Sequence, residues 1–121
     1  MTIPLAFTVI LVAQQTAPPT DWSALPVFPL PRASFDDPFV RAEIATGRCR
    51  VPAGQAENLV APVAILIGPA GAVRQIVPQA IGCPTVEQYT VGYLLSLTRA
   101  GHGGAVPPAP GWYRLTVTYR R

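Results

Sequence analysis

A chain of 121 residues with nine arginines, no lysine and six acidic residues carries a net charge of +3. Half of it is apolar and 12% is charged, which excludes a solvated disordered chain and leaves room for a single domain with a thin core. The arginines are scattered, with only Arg48/Arg50 and Arg120/Arg121 close together, so the basic balance is read as a solubility surface and no nucleic-acid partner is expected.

Residues 1–13 are expected to be a signal peptide or a short apolar leader. The run Ile3–Ala13 has the length of a signal hydrophobic region and is too short to cross a bilayer as a helix. Export places the chain in the periplasm, tethered to the membrane if the leader is uncleaved. Residues 14–38 hold prolines at 18, 19, 26, 29, 31 and 38. Proline fixes φ and lacks an N–H, so this stretch is expected to be extended and to join neither a sheet interior nor a helix. Trp22, Phe28 and Phe35 are expected to pin it onto the domain surface.

The domain itself is assigned to residues 39–121. Asp36 or Asp37 can cap a short helix with Pro38 in its first turn. That helix covers Phe39–Ala45, presents Phe39, Ala42 and Ala45 on one side, and stops near Gly47. Leu59–Ile67 is apolar on both alternating faces, which predicts a central strand. Gly68-Pro69-Ala70-Gly71 suits a tight turn, and Val73–Val77 returns as the hairpin partner.

A helix follows, capped by Cys83 with Pro84 first, or by Thr85 in a capping box with Gln88. Val86, Tyr89/Thr90, Tyr93/Leu94 and Leu97 form its apolar stripe. Gly92 interrupts it at a cost of about 1 kcal/mol, which predicts close approach to the sheet. Arg99 fits the last turn and Gly101 the position beyond it. After a glycine–proline loop, Trp112–Arg120 alternates cleanly. Tyr113, Leu115, Val117 and Tyr119 point to the core, whereas Trp112, Arg114, Thr116, Thr118 and Arg120 point to water.

Chemistry is sparse. Cys49 and Cys83 are the only cysteines, and in an exported chain they are expected to form one disulfide. The alternative is a reactive Cys83 thiolate at a helix start. Two cysteines and one histidine do not supply a zinc site. Gly101-His102-Gly103-Gly104 lacks an accompanying Gly-x-Ser-x-Gly elbow, and no carboxylates pair as acid and base. No enzyme, metal or cofactor is expected.

The order strand, glycine turn, strand, glycine connection, helix, proline loop, strand resembles the C-terminal domain of the TonB energy-transducer family. The resemblance rests on Val63-Ala64-Ile65-Leu66-Ile67, Gly71 with Val73, Gly82, Glu87, Arg99, Pro107/Pro108 and Leu115-Thr116-Val117-Thr118-Tyr119. It covers about half of the chain. The Gly82-Cys83-Pro84-Thr85-Val86-Glu87-Gln88-Tyr89 stretch is similar to small TonB-like proteins of α-proteobacteria. The resemblance implies an α+β fold, a three-stranded antiparallel sheet of hairpin and final strand with one helix on one face. It also implies that an edge strand binds an extended peptide of an outer-membrane transporter or other envelope protein.

The candidate edge is Tyr113, Arg114, Leu115, Thr116, Val117, Thr118 and Tyr119, or whichever hairpin strand is left at the border. The competing expectation is an edge blunted by the proline-rich tail or by dimerisation through that strand. A different class of function is a disulfide-stapled exported inhibitor or minor enzyme with no transporter link, using Cys83 or His102.

Overall fold

A computed structural model describes residues 17–30, 34–50, 58–99 and 109–120. The fold is α+β, with two helices and a four-stranded mixed sheet. In chain order the elements are a one-turn 3₁₀ helix at Trp22–Ala24, β1 (Ser34–Phe35), α1 (Pro38–Ala45), β2 (Asn58–Ile67), β3 (Val73–Pro78), α2 (Pro84–Arg99) and β4 (Gly111–Arg120).

The strand that is apolar on both faces is central, as its composition requires. β2 pairs antiparallel with β3 on one side and with β4 on the other. Its register against β4 sets Leu59 opposite Tyr119, Ala61 opposite Val117, Val63 opposite Leu115 and Ile65 opposite Tyr113. These eight side chains are buried and form the sheet half of the core. The β2–β3 hairpin turns at Pro69-Ala70, where the Gly71 N–H donates to the Gly68 carbonyl at 3.0 Å. Gly71 has φ +79°, a left-handed conformation that glycine adopts at no steric cost, and the ladder slips by one residue beside it.

α2 begins with Pro84. Cys83 occupies the cap position, since its carbonyl accepts from the Glu87 N–H at 3.0 Å. Glu87 reaches back with Oε2 to the N–H groups of Cys83 and Ile81, both at 3.2 Å, and so satisfies donors that a helix start leaves orphaned. The Thr85–Gln88 box does not form, because the Thr85 hydroxyl donates to Glu43 Oε2 at 2.9 Å. Val86, Thr90 and Leu94 are buried against the sheet, with Leu97 packed at the margin.

Four expectations are corrected. The sheet is not three-stranded and antiparallel, because β1 adds a fourth strand parallel to β4. An edge strand needs main-chain partners on one side only, so a proline-rich segment can supply two residues there. Gly92 is exposed, and an added Cβ would meet nothing within 4 Å; it does not mark close approach to the sheet. α1 buries Val40 and Glu43, with Ile44 packed at the core margin, while Phe39, Ala42 and Ala45 are exposed. The true stripe follows i, i+3, i+4 spacing, but an acidic residue in the middle disguised it. Trp112 is buried rather than wet; it lies across from Leu66, on the sheet face that also carries the buried Ala64.

Candidate functional site

The border of β4 turned away from β2 is where the expected peptide site falls. Its chemistry is read from one residue. The Arg114 N–H donates to the Pro26 carbonyl at 2.9 Å, and the Arg114 carbonyl accepts from the Phe28 N–H at 2.8 Å. The main-chain groups of Arg114 therefore face outward. Because these directions alternate along an antiparallel strand, those of Thr116 and Thr118 face outward as well. The side chains divide as the alternation predicts: Tyr113, Leu115, Val117 and Tyr119 are buried, Arg114 and Thr116 exposed, Thr118 half-buried.

This border is not open along its length. Val27 bridges to Arg114 in parallel, and Ser34 and Phe35 pair in parallel with Thr118 and Tyr119. The tail advances from residue 27 to 34 while β4 advances only from 114 to 118. The surplus begins at Pro29, where the Leu30 N–H turns back to the Phe28 carbonyl at 2.9 Å. The expectation of a vacant β4 edge is thus corrected in favour of its alternative, an edge blunted by the proline-rich tail.

Two aromatic side chains anchor the tail. Phe28 is buried, edge-on to Tyr113 at 6.1 Å. Phe35 lies edge-on to Tyr93 at 4.9 Å and tilted against Tyr119 at 6.3 Å. A third tie is polar: Arg114 Nε donates to the Leu25 carbonyl at 2.9 Å. Pinning by Phe28 and Phe35 is as expected; Trp22 is half-buried in its 3₁₀ turn.

The aromatic run continues onto the helices. Tyr93 stacks with Tyr89 at 6.4 Å, and Tyr89 with Phe39 at 4.6 Å. Asp37 fixes this end twice. Its Oδ1 accepts from the Phe39 and Val40 N–H groups at 2.9 and 3.3 Å, capping α1, and its Oδ2 accepts from the Tyr89 hydroxyl at 2.5 Å. That hydrogen bond, reinforced by burial and by the Asp37 charge, pushes the Tyr89 hydroxyl up to about 12. In the core, Thr90 Oγ1 donates to the Val86 carbonyl at 2.7 Å and lies 2.6 Å from the Tyr119 hydroxyl. Thr90 has one hydroxyl proton, so Tyr119 is the donor in that pair. Burial raises the Tyr119 hydroxyl above its ordinary range.

Cys49 and Cys83 are joined in a disulfide, and both are buried. Cys83 in this form is not a thiolate. Beside the bridge, the buried Glu43 carboxylate accepts from Thr85 at 2.9 Å and faces Arg48 at 3.5 Å. Sequence reasoning passed over Glu43, Asp37 as a partner of Tyr89, and the Thr90–Tyr119 pair. The last was within reach, since both hydroxyls were assigned to buried faces and a buried hydroxyl needs a partner. His102 and Glu57 lie outside the described residues, as do the leader and Gly101.

The other border of the sheet belongs to β3. Val77 and Gln75 pair with Ala64 and Leu66, so the alternation turns the main chain of Arg74 and Ile76 outward. Pro78 ends this border without a donor, and a charged residue and a proline are common protections of an edge. Among the described residues no helix is long and apolar enough to cross a membrane, and no three His, Cys, Asp or Glu side chains gather as a metal site. No family model, curated protein or solved structure matches the chain.

Proposed function

We propose that the chain is an exported binding module of the cell envelope, related to the C-terminal domain of the TonB family, that takes an extended peptide along the outer border of β4. The observation that carries this reading is the seating of an extended segment there. Pro26–Phe28 and Ser34–Phe35 use the outward main-chain groups of β4 and the aromatic surfaces of Tyr113, Tyr93 and Tyr119. Strand addition draws affinity from such main-chain pairing and specificity from alternate side chains. The disulfide agrees with an oxidising compartment, and an outer-membrane transporter or another envelope protein would supply the guest. We assign no catalytic residue.

The test is recovery of partners from outer-membrane extract by the purified protein and by Thr116→Pro. Thr116 is exposed and its main chain faces outward, so proline removes one edge donor without emptying the core. Binding by the parent and its loss in the variant are expected. Equal recovery by both, or none by either, refutes the reading.

A further inference from the structure

We infer that the proline-rich tail is a built-in competitor for the β4 border, and that the segment it gives way to is an extended peptide running parallel to β4 with two aromatic side chains seven residues apart. This rests on the peptide-binding reading above and adds the identity and control of the guest. The tail is held at two separate places. One is the single Val27–Arg114 bridge, with Phe28 beside Tyr113. The other is the two-residue pairing of Ser34 and Phe35, with Phe35 between Tyr93 and Tyr119.

Those anchors define what fits. Phe28 and Phe35 stand seven residues apart, and each meets tyrosine rings at the two ends of the border. Between the anchors the tail takes seven steps for four of β4, so it is not a continuous ladder. Proline at position 29 withholds a donor. A short, interrupted pairing is the kind of contact that opens locally without global unfolding. A guest with aromatic groups at the same two sites and the same seven-residue spacing carries the same surplus over β4, so it matches the tail's contacts and takes the border whenever the tail opens. Val27, at the bridge itself, is 60% exposed, so little apolar burial opposes the opening at that residue.

The experiment uses the full chain and a fluorescent peptide of residues 17–36 of its own sequence, a guest with the required spacing. Binding by Phe28→Ser is expected to be tenfold or more tighter than by the parent, because the resident anchor is lost while the peptide supplies a new one. The pair Val27→Cys with Arg114→Cys locks the tail onto β4 and should abolish peptide binding. Equal affinity in the parent and in a folded Phe28→Ser overturns the inference. Should Phe28→Ser not fold, the locked pair decides: peptide binding unchanged from the parent overturns it, and loss of binding upholds it. This outcome is independent of the envelope-extract test. A tail peptide that fails to exchange leaves the Thr116→Pro comparison standing, and an envelope partner that is not recovered leaves the exchange measurable.

Discussion

Two hydroxyls in the core give the sharpest stability test at the scale of single residues. Thr90 gives its proton to the Val86 carbonyl and accepts from Tyr119. Tyr119→Phe leaves Thr90 with a partner, so it should cost about 1 kcal/mol, the net worth of one hydrogen bond. Thr90→Val leaves a buried tyrosine hydroxyl with no acceptor and should cost about 1–3 kcal/mol. The double variant should cost less than the sum, because its second change removes the orphaned group. Urea unfolding of all three measures the cycle, and strict additivity would refute the pairing.

Tyr89 gives a pH test at the same scale. Its hydroxyl is pushed up to about 12 by the hydrogen bond to Asp37 first and by burial second, whereas an unfolded tyrosine ionises near 10. The folded chain keeps the proton that the unfolded chain releases. The stabilisation is therefore complete below about pH 10 and is lost as the pH climbs through about 12. Thermal midpoints should fall over that interval, and Tyr89→Phe should make the fall shallower. Tyr119, also raised by burial, keeps some slope in the variant. An identical slope in parent and variant would show that Tyr89 is not the group responsible.

At the scale of elements, α2 carries a defect that no contact compensates. Gly92 is exposed in the middle of Pro84–Arg99, and an added Cβ would meet nothing. Gly92→Ala should raise stability by about 0.5–1 kcal/mol through helix propensity and a less flexible unfolded chain. A loss in a urea titration would mean that the helix packs there after all. β2, β3, β4 and α2 were legible in the sequence because each is an apolar run or follows one dominant period, with a glycine or proline at its limits. Leu59–Ile67 announced a central strand by being apolar on both faces, and Trp112–Arg120 announced a half-buried one by alternation. α1 was legible only in its limits. Its aspartate cap and its stop at Gly47, at φ +75°, followed from residue type, but the choice of Asp37 over Asp36 did not. Its buried face did not, because a carboxylate inside a core is recognisable only once its partner Thr85, 42 residues away, is in place. β1 was not legible at all: two residues hold no period, and their pairing depends on where β4 runs.

For the molecule as a whole, the candidate site was legible as a strand but not as an occupied one, since Val27–Arg114 joins residues 87 apart. The disulfide was legible from the count of two cysteines together with the expectation of export. It spans a sequence separation of 34 and ties the segment after α1 to the start of α2. Loop-closure entropy gives such a link about 4 kcal/mol, a large share of the 5–15 kcal/mol typical of a domain. Reduction, or Cys49→Ala with Cys83→Ala, should lower the urea midpoint accordingly, and thiol titration of the unfolded, unreduced protein should find no free thiol. The loss need not unfold the domain. α1 is also held to α2 by Thr85–Glu43, by Tyr89–Asp37 and by the stacked Phe39 and Tyr89 rings, and none of these uses the sulfurs. The reduced protein should therefore keep its near-ultraviolet aromatic signal at 25 °C while its midpoint falls. An unchanged midpoint would mean that the bridge adds nothing to the fold. Loss of the aromatic signal on reduction would mean that the covalent link, and not the contacts between the two helices, keeps α1 in place.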